Sequence, residues 1–390
     1  MSKVVPLSGK PAPTPAATSL NSIEELLAEL RAGRMVVVMD DEDRENEGDL
    51  IMAAEYATPE AVAFMIRHTS GIICVPMEEA RLAALELPQM VPANSESHRT
   101  AFTVSVDLAL GTTTGVSSAD RAATIRALAD SRSMAADFSR PGHIFPLRPR
   151  AGGVLVRAGH TEAAVDLCRL AGLTPVGVLC EVMNDDGTMA RRPQLEEFAR
   201  RHGLKIGTIA ALIRHRLRTE RSVERIGEQT VQTSLGEFRL YAYQDRVSLE
   251  VHVALARGRL DGSEPPLVRV HLPDTLRDLL GVHTGARAWT LHAALARIAE
   301  AGNGVVVLLR QQEPPAELAG ALRAVAQPQV PQPEGAGPSG EGAVLRTFGV
   351  GAQILKDLGV KRMRVLSAPK QMHGISAFDL EIEGYVGEEG

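Results

Sequence analysis

Seven carboxylates and one arginine are crowded into residues 40–49, between two short apolar runs. The runs at residues 35–38 before this stretch and 50–54 after it are short and apolar, which predicts two buried strands. Like charges this close repel one another unless a cation lies between them. The stretch is therefore either a solvated turn that keeps the protein soluble or, at the edge of a sheet, a site for a hard ion such as Mg2+.

Length, charge and composition exclude several classes of function. A chain of 390 residues predicts about two domains. The net charge of -6 and the aromatic fraction of 3% argue against a nucleic-acid partner, which needs a basic footprint or stacking platforms. No apolar run approaches the roughly 20 residues that span a bilayer, so we expect no membrane partner. Residues 1–19 are rich in Pro, Ala, Ser and Thr, which predicts a disordered tail and not a signal peptide.

The three cysteines indicate a reducing compartment. Cys74, Cys168 and Cys180 are far apart, odd in number and set in apolar runs, as reduced core residues of a cytosolic protein are. We therefore expect a cytoplasmic protein. All three cysteines lie in the first half, so the second half has no thiol with which to bind a metal.

Helix-like and strand-like segments alternate along the chain, which predicts an α/β (α+β) fold. A first helix after Ser22 has an apolar stripe at Ile23, Leu26, Leu27 and Leu30. We place a domain boundary near residues 219–225, between a first domain at 20–218 and a smaller α/β domain at 226–390. In the second half, strands are expected at 228–233, 236–243, 247–255, 267–271, 304–310 and 362–366, helices at 286–301 and 349–358, and a flexible loop at 327–342.

Several segments of the first half offer polar groups to a ligand. Residues 111–121 place glycines and hydroxyls before a helix, which suits a phosphate but also an ordinary helix cap. A Pro-Gly turn at 141–142 predicts that His143 projects from a rigid loop, where it is either structural or catalytic. Residues 157–161 put a basic residue, a glycine, a histidine and a hydroxyl at a helix start, which suits an anion. Glu181 near the end of a buried strand is either a hydrogen-bonded core residue or part of a site.

The same segments resemble a known enzyme family, 3,4-dihydroxy-2-butanone-4-phosphate synthase of the riboflavin pathway. The resemblance extends nearly end to end over residues 19–215 and rests on four blocks: Asp43-Arg44-Glu45-Asn46-Glu47-Gly48-Asp49, Thr114-Gly115-Val116-Ser117 with Asp120-Arg121, Arg140-Pro141-Gly142-His143-Ile144-Phe145-Pro146-Leu147, and Arg157-Ala158-Gly159-His160-Thr161. It implies a synthase-type α/β domain that converts ribulose 5-phosphate to 3,4-dihydroxy-2-butanone 4-phosphate and formate.

The resemblance also implies the roles of individual residues. Glu45 and His160 are the implied metal ligands, and His143 and Glu181 are the implied acid/base residues. The implied cofactor is Mg2+ or Mn2+, two ions per site, and the family suggests a homodimer with sites near the interface. Glu42 and Glu47 are candidates for a second metal or the sugar hydroxyls, and Cys74 is either near the site or a small core residue. The implied substrate-binding residues are Arg44, Glu45, Asp49, Arg157, Ala158, Gly159, His160, Thr161 and Glu181.

The second half resembles GTP cyclohydrolase II, but it departs where that chemistry should be. The family binds zinc through three cysteines, and the corresponding places here hold about Asp274, Gly285 and Arg287. A glycine-rich loop is also missing after Arg310. We expect no zinc and no GTP hydrolysis, although Asp274 with His271 and His283 leaves a rearranged metal site conceivable, and Arg346 matches a family arginine.

Three hypotheses follow. The leading one is a synthase whose second half is retained for structure, dimerisation or regulation. The second is a bifunctional enzyme that also has GTP cyclohydrolase II activity. The third, a metal-binding scaffold without turnover, is disfavoured because a scaffold has no use for the acid/base pair of His143 and Glu181.

Overall fold

A computed structural model describes residues 20–262, 264–282, 289–310, 315–326, 341–367 and 378–387. The predicted tail at 1–19, the family positions Gly285 and Arg287, His283, and residues 327–340 of the predicted flexible loop lie outside this range. Among the described residues, no helix combines the length and apolar character that a membrane span requires.

The first part of the chain forms a seven-stranded mixed sheet with helices on both faces, as the α/β prediction requires. The strand order across the sheet is β4-β5-β3-β6-β2-β1-β7. The strands are β1 Val36–Met39, β2 Gly48–Ala53, β3 Cys74–Pro76, β4 Val106–Leu108, β5 Phe138–Leu147, β6 Gly177–Glu181 and β7 Lys205–Thr208. The helices are α1 Ile23–Arg31, α2 Pro59–His68, α3 Glu79–Ala84, α4 Ser118–Ala129, α5 His160–Leu170, α6 Arg192–His202 and α7 Ile209–Thr219.

The second part forms another seven-stranded sheet, in the order β14-β13-β11-β12-β10-β9-β8. Its strands are β8 Val223–Thr233, β9 Gly236–Asp245, β10 Val251–Arg257, β11 Leu267–His271, β12 Gly304–Leu308, β13 Arg362–Leu366 and β14 Glu381–Val386. Its helices are α8 Leu291–Ala301, α9 Pro315–Ala326 and α10 Glu341–Asp357, with a short π-helix at Thr275–Leu279. The domain boundary stays a prediction; β8 begins inside the proposed boundary segment, at Val223.

Alternation along the central strands gives the first sheet two buried faces. Val37 and Leu50 point to one face, where they join the core formed with α2, α4 and α6. Val36 and Val38 point to the other face, where they join α1, α5 and α7. Burial of each such side chain stabilises the fold by roughly 1.5–3 kcal/mol. The second face is the one on which the site is built.

Local signals account for the first helix. The Ser22 side chain accepts from the Glu25 amide and the Glu25 side chain accepts from the Ser22 amide, which completes a capping box. The predicted apolar stripe is confirmed, since all of its members are buried. At α2, Pro59 occupies the first turn, where its missing N–H costs nothing.

Three local predictions are wrong. The Pro-Gly block before His143 is not a turn but part of the ten-residue strand β5, which pairs with β3 on one side and β4 on the other. Residues 100–106 alternate in a pattern that predicts a half-buried strand, but they form only isolated bridges at Phe102 and Thr103, followed by β4. In the second half, α10 begins at Glu341 and so overlaps the end of the predicted loop at 327–342.

The two parts of the chain meet where α10 packs on α7. Gln353 of α10 donates to the carbonyl oxygens of Leu217, at 2.7 Å, and Glu220, at 2.9 Å. The side-chain oxygen Oε1 of Gln353 accepts from the Ser222 amide at 2.9 Å and from the Ser222 hydroxyl at 3.2 Å. One side chain of the second half therefore provides hydrogen bonds to carbonyl groups at the C-terminal end of α7, which have no partner within the helix.

We predict that Gln353→Ala destabilises the protein by about 2 kcal/mol, because it leaves half-buried carbonyl groups and the Ser222 amide without hydrogen-bond partners. Differential scanning calorimetry should show the loss as a fall of several degrees in Tm. The control is Gln229→Ala, which makes the same change at an exposed position of β8. Equal Tm values for the two variants would contradict this account of the contact between α7 and α10.

Candidate active site

The acidic loop joins β1 to β2 at one edge of the first sheet. Val38 of β1 lies opposite Asp49 of β2, and Asp49 lies opposite Glu181 at the end of β6. Directly opposite residues of antiparallel strands share a face. The loop, Asp49 and Glu181 are therefore gathered at the same edge, on the face that α5 covers.

Asp40 holds the acidic loop in shape. Its carboxylate accepts the Glu47 amide at 2.8 Å, the Glu45 amide at 3.2 Å and the Arg44 guanidinium at 2.8 Å. The Asp40 side chain is fully buried. Nothing in the sequence distinguishes Asp40 from its acidic neighbours, so this role could not be predicted from the sequence.

A second support for the loop comes from outside it. Arg191, just before α6, donates to the Glu45 carbonyl at 2.6 Å and also to the Asn46 carbonyl. Asn46 has a positive φ of 56°, a conformation that Asn adopts more readily than most residues. The loop is thus fixed through its backbone, which leaves the Glu45 side chain to face the site.

His160 is the first residue of α5, and its ring is bonded to the sheet. Its Nε2 lies 3.1 Å from the Val38 carbonyl oxygen. A carbonyl only accepts, so Nε2 carries the proton and Nδ1 of the neutral ring has a free lone pair. Nδ1 lies 3.7 Å from both Glu45 Oε2 and Asp49 Oδ1.

These positions form a candidate metal site. One ligand atom from each of Asp40, Glu45 and His160 lies within 4.8 Å of the others, and this is the one such group found among the described residues. The His160 ring is oriented as metal-binding histidines usually are, with the far nitrogen bonded to a backbone carbonyl. Asp49 Oδ1 is buried and has no hydrogen-bond partner. The residues therefore fit a hard divalent cation.

The charges around His160 are strongly coupled. Burial raises the pKa of Asp49 to about 7, although His160 opposes the shift. Burial alone would lower the pKa of His160, but Asp49 and Glu45 raise it to about 9. Burial also acts to raise the pKa of Glu45, but His160 and Arg44 lower it to about 2. Without a metal, then, a proton on His160 balances the carboxylates; a divalent cation would replace that proton.

Glu181 and Glu47 face the same space. The Glu181 carboxylate accepts the Ser70 hydroxyl at 2.6 Å and is half-buried. Burial raises the pKa of Glu47, and the nearby charges of Glu45 and Glu181 raise it further. The contact with Ser70 was not predicted, because the two residues are far apart in the sequence.

His143 lies on β5 and is paired with a carboxylate. Its main-chain amide donates to Asp107 Oδ1 at 2.9 Å, and its Nδ1 lies 2.7 Å from Asp107 Oδ2. The carboxylate therefore holds the proton on Nδ1, and Nε2 is left with a free lone pair. The His143 side chain is 44% exposed, so this nitrogen has access to a ligand. Sequence reasoning missed Asp107.

Gly142 explains how β4 and β5 come close enough for this pairing. A Cβ at Gly142 would lie 2.0 Å from the Val106 carbonyl carbon, so no larger residue fits.

The distance from His143 to Glu181 follows from strand register. Cys74 pairs with both Phe145 and Leu179. His143 and Glu181 are therefore level, two strands apart, which is about 10 Å at the usual strand spacing.

The segment before α5 presents the other predicted residues. Arg157 donates to Glu162 at 2.8 Å and lies 3.3 Å from Thr100 Oγ1. Gly159 is the N-cap and has no side chain to occupy the first amides of α5, and a Cβ there would lie 2.5 Å from Arg157 Nη1. Ala158 precedes it, and Thr161 is buried in the first turn. The arrangement leaves an open helix N-terminus beside a guanidinium, which suits an anion.

Three further residues lie at or near the predicted blocks. His98 Nδ1 lies 3.8 Å from Glu45 Oε1, a contact that nothing in the sequence predicts. Asp120 accepts from the Thr113 hydroxyl at 2.7 Å and from the Gly115 amide at 3.1 Å, so it shapes the loop before α4. Cys74 is buried near Glu181, and burial raises the pKa of its thiol well above its ordinary value. The thiol is therefore neutral.

The second half uses its candidate ligands in contacts of its own. Asp274 caps the π-helix and pairs with Arg277 at 2.7 Å. His271 Nε2 lies 2.7 Å from Asp278 Oδ2 and the ring is buried. Asp278 also accepts the Leu291 amide at 2.8 Å, so its carboxylate already has partners.

Comparison with known proteins follows the same division. A family model described as 3,4-dihydroxy-2-butanone 4-phosphate synthase matches residues 24–215, and one described as GTP cyclohydrolase II matches residues 224–387. A Pseudomonas aeruginosa protein named 3,4-dihydroxy-2-butanone 4-phosphate synthase is 53% identical, over 95% of this chain and 100% of its own. A Bacillus cereus protein named riboflavin biosynthesis protein RibBA is 47% identical, over 92% of this chain and 91% of its own.

Two solved structures extend the comparison. RibBX, a two-domain 3,4-dihydroxy-2-butanone 4-phosphate synthase from A. baumannii, is 42% identical and has a TM-score of 0.79, over 94% of this chain and 99% of its own. A 3,4-dihydroxy-2-butanone 4-phosphate synthase in complex with two magnesium ions is 48% identical with a TM-score of 0.50, over 52% of this chain and 99% of its own. The second part of the chain is similar to GTP cyclohydrolase II. The chain as a whole belongs to the 3,4-dihydroxy-2-butanone 4-phosphate synthase family.

Proposed function

We propose that the protein converts D-ribulose 5-phosphate to 3,4-dihydroxy-2-butanone 4-phosphate and formate in riboflavin biosynthesis. The observation that carries the proposal is the grouping of Glu45 and His160 at the sheet edge that also holds Glu181. The reaction requires proton abstraction beside a carbonyl, loss of water and a skeletal rearrangement. Such a series of reaction steps needs positioned acids and bases within reach of one small substrate.

The proposed cofactor is a pair of Mg2+ or Mn2+ ions, held by Glu45 and His160. Support comes from His160 Nδ1, which faces Glu45 because Nε2 is bonded to the Val38 carbonyl, and from the magnesium-bound relative. When bound, divalent ions supply positive charge beside the carbonyl and hydroxyl oxygens of the sugar. Glu42 and Glu47 remain candidates for the second ion, and the charge of Glu181 helps to raise the pKa of Glu47.

His143 and Glu181 are the proposed acid/base residues. His143 takes up and returns protons at Nε2, while Asp107 keeps Nδ1 protonated and orients the ring. Glu181 exchanges protons through its carboxylate, which Ser70 holds in place. The separation of about 10 Å expected from two strand spacings lets a five-carbon sugar phosphate contact both residues.

The remaining predicted residues bind the substrate in this proposal. Arg157, Ala158, Gly159 and Thr161 surround the N-terminus of α5 and receive the phosphate. Arg44 and Asp49 line the sugar. Arg157 is held by Glu162, which places its guanidinium without occupying all of its five donors.

We propose that the second half does not hydrolyse GTP. Asp274 is already paired with Arg277, and His271 with Asp278. A catalytic zinc needs about three protein ligands and an open position. The alternative, a bifunctional enzyme, draws on the 47% identity to the Bacillus cereus riboflavin biosynthesis protein.

We also propose a cytoplasmic homodimer. The three cysteines are free thiols, as a reducing compartment allows. The dimer is carried only by the family resemblance, and size-exclusion chromatography with light scattering measures it directly.

Removal of either proposed metal ligand should abolish most turnover. We expect Glu45→Gln and His160→Ala each to lower formate release from ribulose 5-phosphate by a factor of about 100 or more and to weaken its dependence on Mg2+. The matched control is Asp43→Asn, an exposed carboxylate in the same loop. Wild-type activity at limiting Mg2+ in either ligand variant would contradict the assignment.

Changes at the proposed acid/base residues should affect rate more than binding. His143→Ala and Glu181→Gln should each lower kcat by a factor of about 100 or more while KM stays close to wild type. Asp107→Asn should lower kcat by a factor of about 10 to 100, because an amide no longer selects the Nδ1–H form of His143. Asp185→Asn, at an exposed turn, serves as the control. A large rise in KM with unchanged kcat would instead make these residues binding groups.

Purified protein should contain no stoichiometric zinc and should release no formate from GTP with added Zn2+. The same preparation should release formate from ribulose 5-phosphate with Mg2+, which shows that it is folded and active. Elemental analysis and the two formate assays measure these outcomes. Stoichiometric zinc together with GTP turnover would restore the bifunctional hypothesis.

A further inference from the structure

The second half touches the part of the first domain that carries the site. Leu345 of α10 and Val247, between β9 and β10, pack against the apolar cluster on the face covered by α5. Gly349 of α10 lies so close to α7 that a Cβ there would come within 2.5 Å of Leu217 Cδ1. The contact is therefore a close-packed one and not a loose tether.

Arg346 lies in the middle of this contact. Its Nη1 is 3.4 Å from the Val154 carbonyl oxygen, in the 3-10 turn Gly153–Leu155 that precedes α5. Burial lowers the pKa of Arg346, and the carboxylate of Asp41 opposes that shift. The guanidinium of the second half thus contacts the turn before His160, and the charge of Asp41 in the acidic loop acts on it.

The Val154 turn is bonded to α5 itself. The Val154 amide donates to Asp166 Oδ2 at 2.8 Å, and Arg216 of α7 donates to the same oxygen at 2.7 Å. Asp166 and Arg216 are both almost fully buried. A shift of the turn would therefore move α5, and with it His160 at the first position of that helix.

Asp41 links the acidic loop to Glu45, as the Val154 turn is linked to α5. Its carbonyl oxygen accepts the amides of Arg44, at 3.0 Å, and Asn46, at 3.2 Å, on either side of Glu45. The position of Asp41 therefore helps to set the position of Glu45. Bringing a guanidinium out of water is costly unless opposite charge and acceptors meet it, and the acidic loop supplies that charge.

We propose that Arg346 is a positioning residue for the synthase site, through which the second half holds the acidic loop and the start of α5 at the spacing that the metal ligands need. The inference rests on the proposed synthase function and gives the second half a role in that reaction. Arg346 does not bind substrate in this proposal. It acts on Glu45 through Asp41 and on His160 through Val154.

The test uses the full chain and compares Arg346→Gln, Arg346→Lys and a control, Arg259→Gln, which removes an exposed charge from the same part of the chain. We expect Arg346→Gln to raise the Mg2+ concentration for half-maximal formate release by about fivefold. KM for ribulose 5-phosphate at saturating Mg2+ should change by less than about twofold. Arg346→Lys should restore much of the Mg2+ response, and Arg259→Gln should match the wild type.

A double-mutant cycle tests the route through Asp41. Asp41→Asn alone should raise the half-saturating Mg2+ concentration, and adding Arg346→Gln should raise it little further, because the two changes remove one interaction. Fully additive effects would overturn that route.

Hydrogen–deuterium exchange gives a reading that does not depend on turnover. Arg346→Gln should speed amide exchange in residues 40–47 and 153–160, with no change in β8 or β9. Wild-type exchange in both segments together with a wild-type Mg2+ response would overturn the inference. A wild-type protein that releases no formate would instead count against the proposed function, while the exchange experiment still decides the role of Arg346.

Discussion

The hydrogen bond from His160 Nε2 to the Val38 carbonyl is the contact on which the site depends. It joins the first residue of helix α5 to a residue near the end of strand β1, and the two elements are far apart in the sequence. It also determines which ring nitrogen faces Glu45 and Asp49, and so it makes a buried histidine a candidate metal ligand. The acidic loop can carry so much negative charge because its backbone is tied down independently, by Asp40 from within and Arg191 from outside.

Much of this architecture can be predicted from local patterns, and the failures have a common cause. The buried stripe of α1 and the short apolar strands β1 and β2 follow from side-chain periodicity. The strand β5 was mistaken for a turn, because Pro-Gly usually ends regular structure, whereas here pairing with β3 and β4 overrides it. Asp107, Ser70 and Arg191 escaped notice because their importance lies in partners between about 36 and 146 residues away, which no periodicity reveals.

The second part of the chain keeps a fold similar to GTP cyclohydrolase II, although we propose that it does not carry out that reaction. Its seven-stranded sheet is complete among the described residues, and its buried histidines have partners within the protein. Hydrophobic strands tolerate substitution as long as volume and pattern are kept, whereas a metal site is lost with one or two ligands. A surface that packs on a neighbour can then persist for mechanical reasons alone, as the close approach of α10 to α7 illustrates.

The way Gln353 completes α7 has a consequence for work on separated halves. A fragment ending after α7 would expose the unpaired carbonyls of that helix and uncover Leu217 and the apolar surface around it. Exposed apolar patches of this kind favour association between copies. The isolated first part is therefore a candidate for poor solubility even where its site is intact, and a low yield of such a fragment would say more about its uncovered helix than about its chemistry.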